Sequence, residues 1–390
     1  MNLLAVDSVI SLSFFLSQIV AVGVFWLAPR HLRPEALALV TFGFLALADP
    51  TSLAILVAMT MVTAYASGGG RQNQAVPTIA ATALIALTLV AFKLGEARVD
   101  NGGMMMLLLP LGISFYTFRC LHVVIETHLA IQEPPTLREL VGYLFFMPTI
   151  VAGPIHRLPD YLRDRRRAGP LSSADASQGL TRIVYGYTKI VLIANFVLDL
   201  RIAPWLAERF ADNPPLAAYA ECLHSAFFLY LFFSGYSDIA IGFALLMGYR
   251  VIENFNNPFM KASVSGFWRS WHISLSSWIR EYVFAGVLAI TRRRWVGVIA
   301  SMVTIGLWHQ LTVNWLLWGL YHAMGLLVRN YWLAHFPADR YIRTVWHERI
   351  YNVICWFITF NFVILSFSIA KEGSPADALD TLGTILFWWF

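Results

Sequence analysis

Residues 304–327 read TIGLWHQLTVNWLLWGLYHAMGLL. Two apolar runs rich in Leu and Trp flank a polar break at 310–314. One imidazole, His309, ends the first run, and another, His322, lies inside the second. A bilayer-spanning helix needs about 20 predominantly apolar residues. Runs of this kind recur along all 390 residues, at 8–28, 36–48 with 51–66, 76–94, 104–130, 138–152, 180–204, 216–247, 295–309, 313–334, 350–370 and 376–390. Hydrophobic residues make up 58% of the chain and charged residues 13%, against about 25% charged in an average soluble domain. Mean hydropathy is +0.62. So much apolar surface cannot be hidden inside a water-soluble body. The expectation is an all-α, polytopic integral membrane protein of about ten or eleven transmembrane helices. Segments too short to span, such as 36–48 and 138–152, read as re-entrant pieces, which need shielding by protein or a cavity. No soluble domain or repeat interrupts the pattern, so residues 1–390 read as a single membrane domain.

Composition also excludes several functions. Cys120, Cys222 and Cys355 are too few and too scattered for a disulfide framework or a C-x-x-C metal site. The net charge of +5 comes with no aromatic-basic stripe, so no nucleic-acid partner is expected. Its basic residues lie in short loops, Arg30 to Arg33, Arg157 to Arg167 and Arg292 to Arg294, of which the first two read as cytoplasmic. The first apolar stretch lacks a basic n-region and a cleavage site, so it reads as a retained span with the N-terminus outside. No histidine box of the di-iron type, G-x-S-x-G, H-E-x-x-H or phosphate-binding G-x-x-x-x-G-K-[ST] is present.

Ionisable groups inside apolar segments are costly and mark function or a structural pair. Arg119, His122 and Glu126 share one helical face, where Arg119 and Glu126 are expected to neutralise each other, as a polar seam or as a cavity wall. Asp238, in FFSGYSDIAIG, must pair with a cation, accept several hydrogen bonds or carry a proton. Residues 254–284, NFNNPFMKASVSGFWRSWHISLSSWIREYVF, read as one amphipathic helix. Ser265, Arg269, His272, Ser276 and Arg280 form its polar stripe, about 100° from a stripe containing Trp268 and Trp271. Such a helix lies flat at the interface or floors a cavity. A histidine among Leu and Trp stays neutral at pH 7, and a neutral imidazole in a dry site can take a proton from a hydroxyl.

Several of these blocks together resemble the membrane-bound O-acyltransferase family in its bacterial branch. They are LPLGISFYTFRCLHVVIE (109–126), FFMPTIVAGPIHR (145–157), FFSGYSDIAIGFALLMGY (232–249), ENFNNPF with FWRSWHISLSSWIREYVF (253–284) and GLWHQLTVNWLLWGLYHA (306–323). They define a catalytic core of about 105–330. FSGYSDIAIG is similar to the membrane subunits of polysaccharide O-acetyltransferases. SFYTFRCLHVVIE, the compact length and the lack of a Gly-Gly turn after REYVF are similar to the D-alanyl transfer proteins of teichoic-acid modification.

The resemblance implies helices around a central funnel or tunnel, a cytoplasmic acyl-thioester donor and a hydroxyl acceptor reached from the other side. The donor would be acetyl-CoA or the phosphopantetheine arm of an acyl carrier protein, with no permanently bound cofactor and no metal. The essential histidine falls on His309 and the second polar residue on His272. His322, Asn256, Trp268, Arg269, Trp271, Ser276, Trp308 and Asp238 are the expected tunnel or supporting residues. Gln310 stands where the family usually has glycine after W-H, and its side chain is expected to narrow the space beside His309. An extracytoplasmic partner of SGNH type, or a membrane-anchored protein, is implied at a bacterial inner membrane. The rival readings are a transporter or flippase for a lipid-linked saccharide, and a scaffold that only recruits the partner.

Overall fold

A computed structural model describes residues 12–68, 74–99, 111–167, 169–336 and 344–387. Most of the described residues are helical, and none of them forms a strand. Seven helical stretches among them are long and apolar enough to cross a membrane: Arg30–Ala48, Pro50–Ser67, Ala75–Gly95, Ser173–Arg209, Pro214–Leu246, Ile273–Thr291 and Val345–Lys371. The protein is thus a multi-pass membrane protein. The count differs from the expected ten or eleven for a physical reason. Ile113–His128 and Arg294–His309 form helices of only 16 residues, and Val313–His335 carries Asn314, His322 and Arg329. Residues 1–11, on which the orientation of the N-terminus bears, lie outside the described residues.

The chain falls into two compact units, Met1–Tyr187 with Gly235–Ile252, and Thr188–Ser234 with Glu253–Phe390. The first contains α1 (Leu12–Leu27), α2 (Arg33–Ala48), α3 (Pro50–Ser67), α4 (Ala75–Val99), α5 (Ile113–His128), α6 (Leu137–Leu144), α7 (Leu158–Arg167) and α8 (Ser173–Tyr187). Its short segment 137–157 has carbonyls satisfied by side chains of two longer helices and by one of its own tyrosines. Gln18 Nε2 donates to the Met147 carbonyl at 3.1 Å, Thr41 Oγ1 donates to the Phe145 carbonyl at 2.6 Å, and Tyr143 Oη donates to the His156 carbonyl at 2.7 Å. Irregular backbone shielded from water needs such internal partners.

The expected Arg119–Glu126 pair does not form. Fully buried Arg119 turns instead to the 3₁₀ segment Met147–Thr149, donating to the carbonyl and to Oγ1 of Thr149. Glu126 pairs with His122 Nδ1 at 3.3 Å, while His122 Nε2 accepts the Leu158 N–H at 3.1 Å. A one-turn neighbour and a re-entrant carbonyl divide what the helical stripe alone would have paired. In the basic loop, Arg163 binds Asp160 and Asp164 and Arg165 lies 3.9 Å from Glu139, so part of its charge is cancelled internally.

Asp238 does pair with a cation. Its Oδ1 is 3.1 Å from Arg182 Nε. The pair sits in a glycine seam between α8 and the end of the helix Pro214–Leu246. A Cβ on Gly242 would lie 2.6 Å from the Gly179 carbonyl, and a Cβ on Gly186 would lie 2.5 Å from the Gly235 carbonyl. These two contacts bracket the ion pair along the seam. Close backbone approach through small residues is what holds helices together where lipid supplies no hydrophobic drive.

The second unit begins with a π-helical stretch, Thr188–Ile202, then α9 (Ala203–Arg209) and the start of α10 (Pro214–Leu246). It resumes with α11 (Val264–Trp268), α12 (Ile273–Trp278), α13 (Ala285–Thr291), α14 (Arg294–His309), α15 (Val313–His335), α16 (Val345–Lys371) and α17 (Pro375–Leu386). The single amphipathic helix expected over 254–284 is broken. It turns at Asn257, stops at Trp268 and restarts at Ile273, with π-type pairing over Ile279–Phe284 leading into α13. The stretch 273–291 is apolar enough to span rather than lie flat.

Removing the cation from the glycine seam strands a buried carboxylate, which is costlier than deleting the whole pair. Arg182→Leu is therefore expected to destabilise the detergent-solubilised protein by about 1–3 kcal/mol. Arg182→Leu combined with Asp238→Leu should recover most of that loss. Thermal unfolding of the two variants, monitored by size-exclusion chromatography, decides it; equal losses would remove the ion pair from the account.

Candidate active site

α14 and α15 form the most intimate helix pair of the second unit, and the reason is two glycines. A Cβ on Gly306 would stand 2.2 Å from the Trp315 carbonyl, and one on Gly319 would stand 2.6 Å from the Met302 carbonyl. Neither position accepts a side chain, so the backbones touch. At the end of this pair the chain leaves α14 at His309, runs extended through Gln310 and restarts after Thr312. The start of α15 is pinned by Asn314 Nδ2, which donates to the Glu372 carbonyl at 2.6 Å.

Three histidines of this unit are joined by tryptophan rings. The His309 imidazole stacks on Trp315, with centroids 4.5 Å apart and planes at 23°. It meets the Trp318 ring at 5.6 Å and Trp308 at 4.6 Å. Trp318 lies 4.4 Å from His322, which lies 5.2 Å from Trp268. On the other side, Trp308 lies 5.9 Å from His272. His272 and His322 are buried, whereas His309 keeps partial exposure. Of the three, His309 is the least enclosed. It also ends a helix, where the carbonyl-rich terminus favours a cation. A base that becomes imidazolium as it works is suited to that place.

His272 has a different character. Its backbone is left-handed, φ 44° and ψ 55°, and it is the N-cap of α12, with Nδ1 accepting the Leu275 N–H at 3.3 Å. Burial pushes the imidazole down to about 4, so it is neutral at pH 7. With Nδ1 committed as an acceptor, the neutral ring carries its proton on Nε2 and offers a donor. The neighbouring loop is locked by Asn254, fully buried. Its carbonyl accepts the Ile273 N–H at 2.8 Å, and its Oδ1 accepts the Ser274 N–H at 3.1 Å and the Ser274 hydroxyl at 2.8 Å.

The remaining expected residues divide. Trp268 and Trp308 belong to the aromatic cluster. Trp271 packs on Phe255 and Phe267, at 5.2 and 5.4 Å, and its carbonyl accepts from Ser276 Oγ at 3.0 Å, so both brace the loop that carries His272. Arg269 is exposed and donates to Ser265 Oγ at 2.9 Å. Asn256 is also exposed and engages Ser270 through its backbone N–H. Asp238 belongs to the other unit, in its ion pair with Arg182. His322 is enclosed by Trp268, Trp318, Tyr321 and Phe362.

Sequence reasoning passed over Trp315, Trp318 and Asn254. The first two had a signal, since Trp315, Trp318 and His322 recur at spacings of three and four and so share a face of α15. Of the two asparagines, the sequence reading named Asn256, whereas Asn254 is the buried one.

Asparagine tolerates left-handed backbone and caps helices well, whereas alanine does neither. His272→Asn should therefore fold as the parent does, and His272→Ala should lose about 1 kcal/mol of stability. The histidine also leaves a pH signature. Its proton affinity is lower folded than unfolded, so its contribution to stability is complete above about pH 6.5. That contribution is lost as pH falls from there towards about 4. Thermal unfolding at pH 7 and pH 4.5 should show an acid-induced loss in the parent that is smaller in His272→Asn; parallel losses would contradict a buried, neutral His272.

Comparison with known proteins places the chain in a family. The family model for MBOAT, the membrane-bound O-acyltransferase family, matches residues 56–370, a wider span than the 105–330 core read from the motifs. The probable alginate O-acetylase AlgI of Pseudomonas aeruginosa is 34% identical over 68% of this chain and 49% of its own length. The teichoic acid D-alanyltransferase of Bacillus subtilis is 29% identical over 68% of this chain and 69% of its own. The peptidoglycan O-acetyltransferase of Helicobacter pylori is 28% identical over 71% of this chain and 56% of its own. The chain spans about half the length of several of the curated relatives it matches. With the family model covering most of the sequence and with the histidines of GLWH and SWHIS in one aromatic cluster, the chain belongs to the membrane-bound O-acyltransferase family.

Proposed function

We propose that this chain is an O-acyltransferase that moves a short acyl group from a thioester to a hydroxyl across the bacterial inner membrane. The observation that carries the reading is the placement of His309: partly exposed, at a helix end, against two tryptophans of the facing helix. His309 takes the proton of the acceptor hydroxyl as its oxygen attacks the thioester carbonyl. The carbon–sulfur bond breaks, the new ester bond remains, and the imidazolium returns its proton to the departing thiolate. His272, neutral with its proton on Nε2, donates to the carbonyl oxygen as negative charge builds there. Tryptophans around both rings limit water, which protects the thioester from hydrolysis.

Acetyl is the acyl group favoured here. The alginate O-acetylases match this chain at up to 34% identity and the D-alanyltransferases at 29%. D-alanyl transfer from a carrier protein towards teichoic acid or a related polymer is the alternative reading within the same chemistry. The donor is then acetyl-CoA or an acyl-phosphopantetheine carrier protein, presented at the cytoplasmic face. The acceptor is a cell-surface polysaccharide, or an extracytoplasmic partner of SGNH or membrane-anchored type that passes the acyl group on.

His309→Ala should lower acyl transfer by at least about 100-fold while polymer export continues. Acylation is measured as ester-linked acetate or D-alanine on the isolated polymer. Lost export with the exported remainder still acylated would favour a saccharide transporter. Full acylation by His309→Ala would reduce the chain to a scaffold for its partner.

A further inference from the structure

Gln310 is the first residue beyond α14, with extended backbone at φ −156° and ψ 142°. That conformation turns the side chain back towards the start of α15, where Gln310 Oε1 accepts the indole N–H of Trp315 at 3.2 Å. Trp315 is buried, and it is the ring that lies nearly parallel to the His309 imidazole at 4.5 Å. The other two rings on His309 are steeply inclined, Trp308 at 57° and Trp318 at 80°. One indole therefore forms the flat wall on which the imidazole rests, and one amide oxygen holds the polar end of that indole.

We infer that Gln310 is a positioning residue that acts on His309 through Trp315, an inference that rests on the acyl-transfer reading. Two physical consequences follow from the contact. First, an indole N–H denied its acceptor in a buried site rotates or shifts to find another. The imidazole plane stacked on it then shifts too, and small misplacements of a reacting group are expensive in rate. Second, when His309 has taken the hydroxyl proton, the indole face lies against an imidazolium. Attraction between a cation and an indole face then strengthens in the transition state and is weak in the ground state. Gln310 keeps that face presented. Both effects fall on the chemical step rather than on thioester binding.

The test uses membranes containing the full chain, with acetyl-CoA as donor, and follows thiol release at saturating and limiting thioester. D-alanyl carrier protein replaces acetyl-CoA if the parent turns over only that donor. Gln310→Leu removes the acceptor at similar volume and should lower kcat about fivefold, with the thioester KM within about twofold of the parent. Gln310→Glu keeps an oxygen at the same reach and should restore most of the rate. Trp315→Phe keeps an aromatic wall but deletes the N–H and offers a weaker face to the imidazolium, so it should be at least as slow as Gln310→Leu. The combined variant should be no slower than Trp315→Phe alone, because both delete the same hydrogen bond.

A parent-like kcat in Gln310→Leu overturns the inference. So do additive losses in the combined variant, or a KM increase of the same size as the kcat loss. If Gln310→Leu fails to reach the membrane, Trp315→Phe with its kcat and KM carries the same decision. His309→Ala, assayed alongside, separates the two levels. An inactive His309→Ala with a parent-like Gln310→Leu defeats the positioning role alone, whereas a fully active His309→Ala defeats the acyl-transfer reading and the positioning role with it.

Discussion

Everything at the candidate active site depends on two helices approaching until their backbones touch. Gly306 and Gly319 permit this, with carbonyl oxygens of the facing helix where a Cβ would otherwise stand. In lipid the hydrophobic effect does not drive helices together, so such contacts and the packing around them must supply the association. The approach fixes the distance between the end of α14 and the first two turns of α15. That distance in turn sets His309 against Trp315 and Trp318. The aromatic rings then connect outward, to His322 and Trp268 on one side and to His272 on the other.

The first unit applies the same economy to charge. Arg182 and Asp238 lie between two glycine contacts, and Arg119 is spent on the carbonyl and hydroxyl of a re-entrant segment. These two guanidinium groups answer another charge and a backbone carbonyl, as a low-dielectric surrounding requires, while Arg33 lies over the rings of Phe25 and Trp26. In the second unit Lys371 pairs with Glu221 and Glu372, whereas the histidines of the aromatic cluster show ring contacts and a helix cap. The His309 imidazole stacks on Trp315, and His272 uses one nitrogen as a helix cap. Ionisable groups that hold the scaffold and those suited to chemistry are thus distinguished by their partners, not by their residue type.

Much of the fold was legible because hydropathy and helical period are local. The apolar runs at 51–66, 76–94, 216–247 and 350–370 became long helices close to the expected limits. The need for shielding along 138–152 followed from its length alone, and the need of Asp238 for a cation followed from burial. What was not legible depended on turns and on contacts remote in sequence. The stripe containing Arg119 and Glu126 implied a pair, yet Thr149 captured the guanidinium. The polar stripe through Ser265, Arg269, His272 and Ser276 implied one continuous helix. His272 instead takes a left-handed backbone and breaks it, which puts Arg269 in solvent and His272 in the interior. His309 and His272 were found from motif resemblance, and their shared aromatic surroundings could come only from coordinates.

The glycine contact between α14 and α15 has a consequence for how this site can vary. Sliding one helix past the other by a single residue would carry a bulky neighbour into the place of Gly306 or Gly319, and the interface would have to separate. Intermediate alignments are thereby forbidden, and the helix hairpin behaves as a ratchet with one permitted notch. Drift in the sequence of this hairpin can change the furniture around the imidazole, but it cannot gradually move the imidazole itself.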